Sequence, residues 1–176
     1  MNATDNRRAF LGMLRFSEGT SNSPTTRDRG YDQIVGRTRF TSYADHPRVR
    51  VWIPRIQNWS TAAGAYQLLM RYYDIYRKQL GLTGFGPEVQ DAIALQQIKE
   101  CRALPDIDAG RLADAIAKCK NIWASLPGAG YGQFEHRYVD LEKAFTREGG
   151  DAIVLPTLKT SEELHLAFLD AGGVLA

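Results

Sequence analysis

The 176-residue sequence has no long hydrophobic run. Nowhere do apolar side chains approach the ~20 in succession that a bilayer-spanning helix needs, so stable membrane insertion is not expected. The stretch Asn2, Thr4, Asp5, Asn6, Arg7, Arg8 also lacks an apolar signal-peptide core, so the chain is expected to accumulate in the cytoplasm. Charge of one sign is missing too: 22 basic against 20 acidic residues give +2, with no dense Lys/Arg run, which argues against a nucleic-acid-binding surface. Cysteine is scarce. Cys101 and Cys119 are too far apart for a CxxC motif, and with three scattered histidines they make no ligand set of metal-site spacing. Both are read as reduced packing residues, and no metal or cofactor is expected. What is plentiful is core material: 44% hydrophobic and 10% aromatic residues suffice for one globular domain and exclude a disordered chain.

Apolar residues Phe10, Leu11, Met13 and Leu14 recur at helical spacing after a cap at Thr4 or Asp5, and Gly19 stops that first helix beside Glu18. From Thr20 to Asn58 the punctuation changes: Pro24, Gly30, Gly36, Pro47 and Pro54 interrupt short β-prone pieces at Gln33 to Val35 and Arg37 to Tyr43. Helical periodicity returns after Ser60, an expected N-cap, through Tyr66, Leu69, Met70, Tyr73 and Tyr76 to Gly81. Further helices are expected from Pro87 to Ala103, after an Asp108 cap through Leu112, Ala115 and Ile116, from Phe134 to Arg147, and more weakly from Ser161 to Ala171. Mostly helical with one small irregular sheet after the first helix is an α+β layout, not a doubly wound one.

Glu18 is the most suggestive carboxylate. At a helix C-terminus the negative end of the macrodipole disfavours ionisation, and a glycosidase acid must hold its proton near neutral pH. A solvated helix-end glutamate is the plain alternative. Two-carboxylate hydrolysis asks for a second acid about 5–10 Å away. Asp28, Asp32 and Asp45 can serve, or each can be a turn residue bonding its own backbone. Two loops, Val51 to Trp59 and Leu126 to Phe134, set aromatics beside amides, which suits sugar rings; Trp52 and Trp59 can equally be half-buried anchors. Ser17 and Ser60 have no histidine relay, and the glycines from Gly128 to Gly132 lack the strand-to-helix context of a phosphate loop.

Ala9-Phe10-Leu11 with Ser17-Glu18-Gly19-Thr20, then Gly30-Tyr31-Asp32-Gln33-Ile34-Val35-Gly36 and Asp45-His46-Pro47-Arg48, resemble the lambda-type phage endolysins. The resemblance continues through Gly64-Ala65-Tyr66-Gln67-Leu68-Leu69, Tyr76 to Leu82 and Ala94 to Glu100, and on from Asn121-Ile122-Trp123 to Tyr131-Gly132-Gln133-Phe134-Glu135-His136. It covers roughly residues 7 to 150 in consistent order. It departs at Ala62 and Ala65, where relatives are expected to carry Gly and Arg, and the segment 151–176 runs past the usual end.

The resemblance implies a lysozyme-like fold over 1–150 and a lytic transglycosylase of peptidoglycan. Glu18 would be the single catalytic acid/base. The β-1,4 bond between N-acetylmuramic acid and N-acetylglucosamine would be cleaved with closure of a 1,6-anhydro ring. It further implies substrate-binding roles for Tyr66, Gln67, Tyr131 and Gln133, leaves Asp32 as a structural or binding residue, and makes the two aromatic loops, Trp52 included, lips over the glycan. A phage holin would open the inner membrane so that the enzyme passes from the host cytoplasm to the periplasm. The default state is a monomer. Within 151–176, Leu164, Leu166, Phe168 and Leu169 form an imperfect amphipathic pattern expected to pack on the same domain. The rival readings are a hydrolysing muramidase and a catalytically silent glycan-binding module.

Overall fold

The computed structural model describes residues 3–132 and 134–153. Six helices lie among these residues: α1 (Ala3–Ser17), α2 (Met70–Gln79), α3 (Pro87–Glu100), α4 (Leu104–Asp108), α5 (Leu112–Cys119) and α6 (Tyr138–Arg147). Between α1 and α2 come two separate antiparallel hairpins. In one, β1 (Gln33–Ile34) pairs with β2 (Thr38–Arg39); in the other, β3 (Val51–Ile53) pairs with β4 (Asn58–Ser60), with Trp52 opposite Trp59. The mostly helical α+β layout expected from the sequence is the one observed.

Helix α1 is buried from Ala9 to Arg15 on every face, which makes it the axis of the helical lobe, and it packs against α4 and α6. Around Phe10, Met13 and Leu14 close Ala94 and Ile98 of α3, Ile107 of α4, Leu112 and Ile116 of α5, and Leu141 and Phe145 of α6. A second cluster, Ile34, Phe40, Leu68, Tyr73, Phe85 and Ile93, fills the β-hairpin lobe. Ile93 lies in that cluster while its neighbour Ala94 lies in the first, so α3 is a wall shared by both lobes. A helix that packs on two sides has no single apolar stripe, and the run Val89 to Ile98 shows none.

Buried polar residues tie the lobes together. Gln90 accepts from the Ala65 amide at 2.8 Å and donates to the carbonyls of Tyr31 at 3.0 Å and Phe85 at 2.8 Å. Behind it, Tyr31 accepts from Arg15 at 2.8 Å and donates to Asp91 at 2.8 Å, and Tyr66 donates to the same Asp91 oxygen at 2.5 Å. The tyrosine, glutamine and aspartate members satisfy one another, as a buried polar network requires, while Arg15 Nε is left without a hydrogen-bond partner among the described residues.

Several element boundaries differ from the sequence-based expectation. Helix α1 already includes Thr4 and Asp5, so neither caps it; Asp5 supports its first turn as an acid instead. Ser60 ends β4, and α2 begins ten residues later at Met70. The intervening chain bridges to Ile34 at Ala63 and then makes a tight turn over residues 64–67, closed by the Ala63 to Leu68 bridge. Asp108 ends α4 and binds Arg7 with both oxygens at 2.6 Å, leaving Arg111 at the start of α5. Phe134 to Arg137 are not helical; the His136 amide donates to the Ser125 carbonyl at 2.9 Å, and α6 starts at Tyr138.

Past residue 150 the chain is still anchored. The Asp151 amide donates to Asn6 at 2.9 Å and the Ile153 amide to the Gly110 carbonyl at 2.9 Å. The helix expected over Ser161 to Ala171 and the packing expected of the extension lie outside the described residues.

Two glycines separate backbone strain from crowding. Gly19 has φ +66 with nothing within 4 Å of an added Cβ, whereas Gly30 has φ +97 and its Cβ would meet Thr20 Oγ1 at 2.7 Å and the Thr20 carbonyl carbon at 2.9 Å. Gly19→Ala is expected to cost about 1 kcal/mol, the left-handed strain alone, and Gly30→Ala about 3 kcal/mol or more, by urea unfolding. Equal losses at both positions would mean that the contact with Thr20 is unimportant.

Candidate active site

The last turn of α1 sets the site. The Thr20 amide donates to the Arg15 carbonyl at 3.1 Å and the Gly19 amide to the Phe16 carbonyl at 2.9 Å. This is a Schellman closure with Gly19 in the left-handed position and Glu18 as the capping residue. Thr20 Oγ1 then donates to the Ala65 carbonyl at 2.7 Å, which brings the segment carrying Gln67 against the helix end. The result is a cleft of about 220 Å³ lined by Glu18, Thr20, Gln33, Ile34, Val35, Arg37 and Gln67.

Burial pushes the Glu18 carboxyl up to about 7, even though Ser125 Oγ donates to its Oε1 at 2.5 Å, which favours the ionised form. Ser17 Oγ lies 2.8 Å from Ser125 Oγ. With the Ser125 proton directed at Glu18, Ser17 is the donor to Ser125, and the two hydroxyls form a short chain that fixes the carboxyl rotamer. The arrangement can give and take one proton near neutral pH at a fixed point in the cleft.

The three aspartates considered as partner acids are all occupied. Asp28 accepts from Tyr43 at 2.6 Å. Burial pushes Asp32 up, but bonds from Thr26 at 2.6 Å and the Arg27 amide at 2.9 Å hold it below its usual range. It is an organiser of the loop ahead of β1, and does not line the cleft. Asp45 is held down at about 2, first by Arg48 at 2.8 Å, and also meets Arg77 at 3.2 Å.

Of the other residues expected at the site, Gln67 is brought to Glu18. It has φ +51, a strained value for a side-chain-bearing residue, and its Nε2 donates to the Gly64 carbonyl at 3.0 Å. Gln67 also lines a second cavity of about 310 Å³ with Leu69, Tyr72, Gln97, Asn121 and Trp123. Tyr66 borders that cavity, but its ring is buried and its hydroxyl is committed to Asp91, so it meets the cleft as backbone support.

Trp52 is 42% exposed and Trp59 51%, their rings edge-to-face at 5.5 Å, with Arg50 stacked over Trp59 at 5.3 Å. Tyr131 is 56% exposed and its hydroxyl reaches the Asn121 carbonyl at 3.3 Å. Gln133 lies outside the described residues. The two loops touch: Arg55 Nη1 donates to the Gly132 carbonyl at 3.2 Å. The glycine loop is braced from within by Glu135, which accepts the Gly128 and Gly130 amides, each at 2.7 Å.

Sequence reasoning did not single out Ser125, Asp91, Arg55 or Arg37. Ser125 and Glu18 are 107 residues apart and meet only through the fold, so no local spacing announces them. The two-to-one pairing of tyrosines on Asp91 is equally non-local.

A helical lobe around one buried helix, a β-hairpin lobe, and a glutamate of raised proton affinity in the cleft are the marks of a lysozyme-like fold. Comparison with known proteins carries this further. A family model described as Endolysin matches residues 8–152, and the chain belongs to that family. It is 59% identical over 146 residues to the endolysin of Escherichia phage lambda, covering 82% of this chain and 91% of that one. It is 48% identical over 159 residues to the endolysin of Escherichia phage P2, covering 85% and 96%. Its fold matches bacteriophage lambda lysozyme complexed with a chitohexasaccharide at a TM-score of 0.80 and 57% identity, over 84% of this chain and 96% of that one. A second structure of lysozyme from bacteriophage lambda matches at a TM-score of 0.78. The chain is thus a phage endolysin, a peptidoglycan-cleaving enzyme with a cell-wall lytic role.

A carboxyl whose folded value lies above its unfolded one binds its proton more tightly in the folded chain. Its contribution to stability is complete below the unfolded value of 4.5 and is lost as pH rises through about 7. Glu18→Gln is therefore expected to match the wild type in urea unfolding at pH 4 and to exceed it by about 2–3 kcal/mol at pH 8. A difference that does not change with pH would remove the elevated carboxyl.

Proposed function

We propose that this endolysin is a lytic transglycosylase that uses Glu18 alone as acid and then base. What supports the reading is a single proton-holding carboxyl at the cleft, with Asp28, Asp32 and Asp45 all bound elsewhere. Glu18 protonates the glycosidic oxygen between N-acetylmuramic acid and N-acetylglucosamine as the C1–O bond breaks. The resulting carboxylate takes the proton of the muramoyl C6 hydroxyl as its oxygen bonds to C1. Glu18 ends the cycle protonated again, and the products are a 1,6-anhydromuramoyl end and a free C4 hydroxyl on N-acetylglucosamine. Intramolecular capture needs no second acid to activate water, because the nucleophile is already held at the reacting carbon.

Gln67 steadies the oxocarbenium-like centre, a reading supported by its lining both the Glu18 cleft and the second cavity. Trp52 and Tyr131 supply exposed aromatic faces for sugar rings, and Gln133, two residues after Tyr131, is assigned to the same glycan contact. Tyr66 and Asp32 serve by fixing the chain that carries Gln67 and the loop ahead of β1. Residues 1–150 act as one monomeric catalytic unit, and a holin gives access to the wall.

The test is mass spectrometry of the fragments released from purified peptidoglycan. Wild type is expected to give anhydro ends and Glu18→Gln none, while Asp28→Asn and Asp45→Asn retain turnover. Reducing ends heavier by one water would assign a hydrolysing muramidase instead. Because the acid must begin protonated, the rate is expected to fall above pH about 7, and Ser125→Ala, which removes a bond favouring the ionised form, to move that fall to higher pH. An unmoved limb would take Glu18 out of the titration. Trp52→Ala is expected to weaken chitohexasaccharide binding several-fold by calorimetry; unchanged affinity would return that ring to a packing role.

A further inference from the structure

The chain's small net charge conceals an uneven distribution. From Thr20 to Ser60 there are seven arginines and three aspartates, with no lysine or glutamate. The aspartates are occupied as described, so the hairpin lobe presents surplus cation. Most of its arginines have work within the fold or stand away from the cleft. Arg48 is shared between Asp45 and Asp74, Arg50 stacks on Trp59, and Arg55 reaches the Gly132 carbonyl.

Arg37 is different. It lines the same cleft as Glu18, is exposed, and makes no side-chain hydrogen bond or ion pair among the described residues. Its backbone is nevertheless fixed. It sits in the β1–β2 turn with φ +64, and its carbonyl accepts from Thr25 Oγ1 at 3.0 Å. While Glu18 holds its proton, Arg37 is the one charged side chain among the residues lining this cleft.

An unpaired guanidinium at the rim of a sugar cleft loses hydration when ligand enters, and neutral hydroxyls and acetamides offset that loss less well than a carboxylate does. Of the two sugars in the glycan, only the muramoyl residue carries an acid function. Its C3 lactyl ether ends in a carboxylate, or in an amide to a stem peptide that bears carboxylates of its own.

We propose that Arg37 is a specificity residue that pairs with a carboxylate on the C3 substituent of the muramoyl residue, so that it selects where along the strand Glu18 acts. The proposal rests on the transglycosylase reading for the identity of the sugar. Binding is monodentate or forked to that carboxylate through the guanidinium, with no covalent step.

Calorimetry in a Glu18→Gln background, where strands are not consumed, separates the possibilities. The ligands are stem-bearing glycan strands, strands stripped by an amidase to leave the lactyl carboxylate, and neutral chitohexasaccharide. Arg37→Gln is expected to weaken binding of an anionic strand about threefold and Arg37→Glu about tenfold, more at low salt, with the neutral ligand unchanged and thermal midpoints preserved. Loss confined to stem-bearing strands identifies the stem carboxylates as the partner; loss confined to stripped strands identifies the lactyl group. Equal loss on chitohexasaccharide, or no loss on any ligand, overturns the proposal. Failure of the reaction reading is recognised independently, by the end groups that the wild type releases.

Discussion

The carbonyl of Arg15 is the point on which the site hangs. It accepts the Thr20 amide at 3.1 Å and the Ser21 amide at 3.3 Å. These bonds stop α1, turn the chain back on itself, and leave Thr20 placed to hold the Ala65 carbonyl and to receive Gly30 against its face. Glu18 is caught between the helix it caps and the loop so created. Its position follows from backbone geometry that any sequence with glycine at the next residue can adopt; its raised proton affinity follows from what the loop then covers.

The acids of the β-hairpin lobe are sorted by neighbours. Asp45 sits among guanidinium groups and Asp32 among hydroxyl and amide donors, and both stay ionised. Glu18 has one hydroxyl donor in a buried setting, and keeps its proton up to a pH of about 7. The same functional group thus takes opposite charge states according to the number of donors that surround it.

Helix identity and the site's leading residue were legible because their signals are local: the Phe10–Leu14 periodicity, the Gly19 stop, the glutamate beside it, and motif strings from Gly64 to Leu69 and from Asn121 to His136. The boundaries that shifted did so through contacts from distant residues. Ser60 reads as a cap by composition, yet pairing of Ala63 with Ile34 and Leu68 commits the chain to a bridged turn and delays the helix until Met70. Asp108 reads as a cap for α5, yet Arg7, 101 residues away, binds it. The hydroxyl on Glu18 was invisible for the same reason. Tyr66 illustrates a further limit: a motif residue beside the cleft turns its hydroxyl inward to Asp91, and orientation is not written in a motif.

Helix α3 supplies Ile93 to one lobe and Ala94 with Ile98 to the other, and Gln90 at its first turns clasps Ala65, Tyr31 and Phe85. A rod cemented on both sides cannot act as a hinge. Any breathing of the groove falls to its margins, the β3–β4 ribbon and the glycine loop, which meet through the Arg55 bond to Gly132. A long polymer therefore meets a rigid bed beneath a clasp that is cheap to undo, a construction suited to admitting a strand from the side, anywhere along its length.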